Sequence, residues 1–214
     1  GLTVQIPWQG TAFSLRAASS LKGITVDAPA PLGKSAQATR PLDIRLSNPG
    51  GRLSLELDYG GLLQGAFRMD KRLRGDLLLG SGSLQLPDEG VQVRGRLAQA
   101  IVEPWIDFIG DRLMPSLKAS RGGGSGTGQA SLSKVSLQVD RLDLFGVNVA
   151  DTRLSVLPAN AGWDMALSSR AVAGSVRIPD GFTARGEAPL SLSVSRLNLI
   201  LPEGALGDKG QSVP

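Results

Sequence analysis

The sequence contains no cysteine and no histidine. Without cysteine there is no disulfide framework, which fits an oxidising periplasm and a reducing cytosol equally. Without histidine there is no imidazole base and no usual transition-metal ligand, so most serine-nucleophile schemes lack their proton acceptor. Aromatic residues make up only 4% of the 214 residues, and the basic residues are scattered, with no run of three. A nucleic-acid groove needs clustered cations interleaved with stacking aromatics, so nucleic acid is not an expected partner. No apolar run approaches the roughly 18–20 residues that span a bilayer. The chain also lacks a signal peptide and starts directly in strand-like alternation, as expected of a segment cut from a larger protein.

What remains is a chain with 41% apolar residues, 28 glycines, 13 prolines and a net charge of +4. That composition suits many short strands separated by reversals. Period-two alternation bears this out. Leu42, Ile44 and Leu46 alternate with polar residues, as do Leu53, Leu55 and Leu57 with Tyr59 in register. Val91 and Val93, then Leu97, continue the series, followed by Val135, Leu137 and Val139. Trp163, Met165 and Leu167, then Val172, Val176 and Ile178, then Leu190, Leu192 and Val194 complete it. Each set directs an apolar row to one face and a polar row to the other, the pattern of antiparallel sheets wet on one side. Turn signals at 48–51, 87–90, 160–162 and 179–181 separate the runs.

One stretch has helical spacing. Val102, Trp105, Ile106, Ile109, Leu113 and Leu117 form an apolar stripe with Glu103, Asp107, Asp111 and Arg112 off it. Pro104 suits a first helical turn, and Pro115 is expected to end the helix near Leu113. The spacing predicts one amphipathic helix over 102–117 that covers an end or edge of the sheet. The Gly-rich run 122–128 reads as a linker. The chain therefore divides into a first β-section (1–99), a helix (100–118), a linker (119–130), a second β-section (131–201) and a tail (202–214).

The octapeptide from Leu137 to Leu144 echoes the one from Leu192 to Leu199, with five of eight positions identical. Both copies shift apolar parity at the same place, between Val139 and Leu142 and between Val194 and Leu197. A shift without a loop predicts a β-bulge or a bending strand, and its repetition predicts a unit stacked along an axis.

Catalytic constellations are absent. Gly33-Lys34-Ser35 matches the end of a phosphate-binding loop, but Ala28 stands where the first glycine must be, and Pro29 and Pro31 stiffen the segment. Glu103/Asp107 and Asp88/Glu89 read as a solvated helix face and a turn. No calcium loop occurs. No enzymatic activity, metal or cofactor is expected. Alternation alone favours a sandwich in which two apolar faces pack on each other.

Four features recur in an order that resembles one family. Ala28-Pro29-Ala30-Pro31-Leu32-Gly33-Lys34 precedes Pro41-Leu42. Gly90-Val91-Gln92-Val93-Arg94-Gly95-Arg96-Leu97 leads to Glu103-Pro104-Trp105. Arg141-Leu142-Asp143-Leu144-Phe145-Gly146 is followed by Gly162-Trp163. Val172-Ala173-Gly174 then precedes Arg196-Leu197-Asn198-Leu199. Over nearly the whole chain this resembles the YhdP family of AsmA-like proteins of Gram-negative bacteria. The resemblance implies an all-β, elongated, curved antiparallel groove in place of a sandwich. It implies a periplasmic segment of a protein anchored in the inner membrane by an N-terminal helix outside this chain. The implied role is movement of phospholipid between inner and outer membranes, with no catalytic residues. Leu53, Leu55, Leu57, Val135, Leu137, Val139, Met165, Leu167, Val176 and Ile178 would then line the groove against acyl chains. Val102, Trp105, Ile106, Ile109 and Leu113 would form the helix's apolar face. The alternative is a structural or assembly module like the related TamB-type proteins, with outer-membrane or periplasmic protein partners and no lipid conduction.

Overall fold

A computed structural model describes residues 2–5, 8–9, 12–109, 132–160, 162–179 and 191–198. Short apolar–polar alternations become thirteen strands of one sheet. The first part contains β1 (Leu2–Gln5), β2 (Trp8–Gln9), β3 (Ala12–Ser19), β4 (Leu42–Ser47), β5 (Leu53–Tyr59), β6 (Leu63–Met69) and β7 (Leu73–Leu79). Next come β8 (Gly90–Ile101) and the helix α1 (Val102–Phe108). The second part contains β9 (Leu132–Leu144), β10 (Val147–Ala159), β11 (Gly162–Ser168), β12 (Val172–Pro179) and β13 (Ser191–Leu197). From β3 onward the strands lie side by side in chain order, with β1 beyond β3 and β2 paired to β3. Among the described residues no second sheet packs on either face, so the expected open sheet stands and the sandwich does not. The two β-sections are parts of this one sheet. The linker 119–130, the tail 202–214 and the predicted helix beyond residue 109 lie outside the described residues.

The sheet is not antiparallel throughout. β8 runs parallel to β7 on one side and to β9 on the other, joining two antiparallel meanders. The turn signal at 87–90 is therefore the end of a return strap over residues 80–89, not a hairpin. Ten extended residues reach at most about 35 Å, enough to run back along a seven-residue strand of roughly 23 Å. Alternation cannot reveal this, because side-chain parity is the same whichever way a neighbour runs.

The strap is pinned to the polar face by Asp76, whose side chain is fully buried. Its carboxylate accepts from Arg94 Nε at 3.0 Å, Arg94 Nη2 at 2.6 Å and the Gln85 backbone N–H at 2.7 Å. Arg94 also donates to the Ser83 carbonyl, and Gln92 Nε2 to the Gln85 carbonyl at 2.6 Å.

The parity shift read from the sequence is present in both copies, built differently. In the first copy three strands bend together. Leu97 and Ala100, Val139 and Leu142, and Thr152 and Val149 are all buried, each pair spaced by three. Pairing is intact on both sides of the bend but skips Asp140 and Asp151, and Asp151 takes a φ of 51°. In the second copy β13 bulges: Val194 pairs with Gly174 and Arg196 with Ala173, leaving Ser195 extra.

Loop 20–41 is held by two cations. The Lys34 ammonium donates to the carbonyls of Leu21 (2.8 Å), Ser35 (2.9 Å) and Ile24. Arg40 donates to the carbonyls of Pro31 and Leu32 and lies 4.9 Å over the Tyr59 ring. Tyr59 Oη donates to the Leu32 carbonyl at 2.9 Å. Leu32 is thereby pressed onto the core of Leu79, Leu97, Ala100, Val139, Leu142 and Val149, with Val102 and Val172.

The β9–β10 turn carries Phe145 at φ 52° and Gly146 at φ 81°, with Phe145 68% exposed. Two-residue hairpin turns with both φ positive favour Asn-Gly, and a bulky residue there is strained. Phe145→Asn is expected to stabilise the protein by about 1 kcal/mol, raising Tm by roughly 2–4 °C in a thermal melt. An unchanged or lower Tm would mean that the ring makes stabilising contacts.

Candidate functional site

The sheet register aligns the apolar residues across every strand of the main path. One row of direct partners runs Val4, Ala17, Ile44, Leu57, Gly65, Leu77, Val93, Val135, Val156, Met165, Val176 and Leu192. It contains no polar residue. The next row on the same face contains Leu42, Tyr59, Leu63, Leu79, Gly95, Leu137, Leu154, Leu167 and Gly174. At about 4.8 Å per strand, a row that crosses twelve strands follows the sheet for roughly 50 Å.

All ten residues expected to line a groove fall on this face. Leu57, Val135, Met165 and Val176 are in the first row, and Leu137 and Leu167 in the second. Leu53, Leu55, Val139 and Ile178 flank them at even spacing. Except for Val139, at 3% exposure, they are half-buried or exposed, because no second layer among the described residues covers them. Glycines make room between the larger side chains. Phe67 lies over Gly75, where an added Cβ would come 2.4 Å from its Cδ1, and Leu57 and Leu77 close over Gly65 at 3.0–3.1 Å.

The helix's expected apolar stripe is divided. Val102 packs on the core, and half-buried Trp105 meets Phe108 edge-on at 5.9 Å. Ile106 and Ile109 are exposed, and Leu113 lies outside the described residues. No described helix is long and apolar enough to cross a membrane.

The opposite face is polar and laced by cross-strand ion pairs. Arg16–Asp43 is at 2.5 Å, Arg96–Asp140 at 2.7 Å and Arg177–Asp164 at 3.0 Å. The Arg16 hydrogen bond holds the Asp43 carboxyl below the usual carboxylate range. The backbone N–H groups of Arg72 and Lys71 do the same for Asp70 in the β6–β7 turn. These pairs are exposed, so they orient strands more than they stabilise them. Lys34 of the phosphate-loop-like tripeptide spends its protons on three carbonyls, and no group of three metal-ligating residues occurs among the described residues.

Sequence reasoning missed the Asp76–Arg94 clamp, the glycine seats and the basic β6–β7 turn. The one available signal was a charged residue, Asp76, inside the otherwise apolar run 75–79.

The chemistry on offer is thus a long, one-sided apolar surface with a solvated back. A family model described as YhdP protein matches residues 1–213. No curated protein and no solved structure matches the chain.

Proposed function

Because the chain belongs to the YhdP family of AsmA-like envelope proteins, we propose that its apolar face carries the acyl chains of phospholipid in transit between inner and outer membranes. On this reading the chain is a periplasmic, non-enzymatic part of an inner-membrane-anchored protein, and lipid is its partner. The observation that supports it most is the uninterrupted apolar row from β3 to β12, left without a covering layer among the described residues. Each methylene moved from water onto such a surface contributes about 0.8 kcal/mol. Aliphatic contacts are non-directional and the row repeats from strand to strand, so a chain bound at one strand gains little by staying there. Binding with low barriers to sliding is what conduction needs.

The test is photocrosslinking in cells at Leu57, Val135 and Met165, three positions of one row, with Glu56, Ser136 and Asp164 on the polar face as controls. Phospholipid adducts are expected from the first three only. Folded protein that yields no adduct at any of them, or equal adducts from both faces, sinks the proposal.

A second reading, a structural or assembly module, is favoured by one feature. On β13, Val194 and Leu197 are more than half exposed. Protein crosslinks from these positions, with no lipid captured on the apolar face, would select it.

A further inference from the structure

The apolar face is open on one side and closed on the other. Along the β5–β6 pair the register sets four rows across it: Leu53 with Met69, Leu55 with Phe67, Leu57 with Gly65, and Tyr59 with Leu63. Leu53 and Met69 are each 36% exposed, Leu55, Phe67 and Leu57 are half-buried, and Tyr59 is buried at 8%. Farther along the closed side, Leu79 and Leu97 are buried at 5% and 6%.

The closure at β5 and β6 is the tip of loop 20–41. Leu32 packs on the core cluster that holds Leu79 and Leu97, and its carbonyl accepts from Arg40 and from the Tyr59 hydroxyl, each at 2.9 Å. At Gly33 an added Cβ would stand 2.1 Å from the Ala28 carbonyl oxygen, so the chain is doubled back tightly here. The tip is thus held through its backbone, which leaves the Leu32 side chain to fill the closed side. From Leu53 to Tyr59 is six residue steps, roughly 20 Å at the rise of a strand. One leaflet of a bilayer's hydrocarbon core, half of about 30 Å, is about 15 Å deep. An acyl chain laid along β5 therefore reaches from the closed side to the open rim, and its polar end emerges where Leu53 and Met69 meet water.

We infer that loop 20–41, through Leu32, is a stop that orients phospholipid on this face, an inference that rests on the function proposed above. The acyl chains lie along β5 and β6 with their ends toward Leu63 and Leu32, and the headgroup projects past Leu53 and Met69. The reverse orientation would press a headgroup against a closed side whose polar groups, Arg40 and the Tyr59 hydroxyl, already bond the loop's carbonyls. Leu32 is a positioning residue: it fixes how far the chains reach and so which end of the lipid meets water. Lipids moving along the row keep one orientation, with their headgroups in file on one rim.

The test places a photocrosslinker at Met69 or at Leu63, opposite ends of β6, and exposes each protein to vesicles of equal phosphatidylethanolamine and phosphatidylglycerol. Alkaline hydrolysis then cleaves the acyl esters. An adduct on an acyl chain leaves a fatty acid on the protein, and one on the headgroup side leaves a glycerophosphoryl mass. The glycerophosphoryl share is expected to be at least about tenfold higher at Met69, a tenfold ratio being ~1.4 kcal/mol and an unbonded buried polar group costing about that or more. Leu32→Ser, which wets the closed side, should raise the share at Leu63 severalfold and leave capture at Met69 unchanged. That capture also reports that the variant is folded, and Leu32→Ala takes its place if capture is lost. Equal or reversed shares in the unsubstituted chain overturn the orientation and leave the proposed function standing. A share at Leu63 that neither variant raises overturns the role of Leu32. No adduct at either position removes the proposed function, and the orientation with it.

Discussion

Asp76→Ala is expected to lower stability by about 3–5 kcal/mol, read as a shift of the urea midpoint at unchanged slope. The carboxylate is fully buried and is the acceptor for both Arg94 and the Gln85 N–H. Its removal leaves a guanidinium with no counter-charge in a partly buried site and releases the strap over 80–89. Most of the loss comes from stranding Arg94, not from forgoing the pair's net attraction. Asp76→Leu combined with Arg94→Met should therefore recover most of it, leaving about 1 kcal/mol for the unpaired Gln85 N–H. A double variant no better than Asp76→Ala would show that the strap, not the charge, dominates.

Gly95→Ala is expected to cost a similar amount, about 3–5 kcal/mol, by a different cause. Gly95 has a φ of 144°, and an added Cβ would stand 2.0 Å from the Leu79 carbonyl oxygen. That oxygen is backbone within the parallel pair β7–β8, so the strands must separate to admit a methyl group. Gly146→Ala provides the scale. Its φ is also positive, at 81°, but nothing lies within 4 Å of the added atom, so only the conformational cost of about 1–2 kcal/mol applies. Equal midpoints for the two variants would refute the steric account. Gly95 lies in the second apolar row between Leu79 and Leu137, so on the function proposed above a folded variant should also alter lipid capture at those neighbours.

The rows on the apolar face were legible because parity survives any arrangement of neighbours. Leu53, Leu55 and Leu57 point one way whether β5 lies beside β4 or elsewhere. The bend at Val139–Leu142 was legible for the same reason, since three-residue spacing between apolar positions has no other simple meaning in a strand. Strand direction was not. The meaning of Pro87–Gly90 depends on Asp76 and Arg94, 18 residues apart, meeting across β7 and β8. The fold's openness was also invisible to periodicity, because a sandwich and an open sheet share one alternation; the resemblance separated them. The helix start at Val102 followed from its spacing. The exposure of Ile106 did not, because a stripe says which residues share a face and not what lies opposite.

The parallel seam at β8 also orders how the chain can be assembled. Strands β3 to β7 and β9 to β13 each pair with sequence neighbours, so both meanders can form from local encounters, with loop 20–41 the longest closure inside the first. β8 also pairs with its sequence neighbours, but in parallel, so each pairing needs a return: the strap over 80–89 on the β7 side and the chain between Ile101 and Leu132 on the β9 side. During synthesis from the N-terminus, the β8 edge therefore stays uncovered until the chain between Ile101 and Leu132 has emerged and β9 has returned. With Val91, Val93 and Leu97 along that edge, and the connection to β9 longer than any other between paired strands, that interval is the one in which the nascent chain is most open to pairing with the wrong strand.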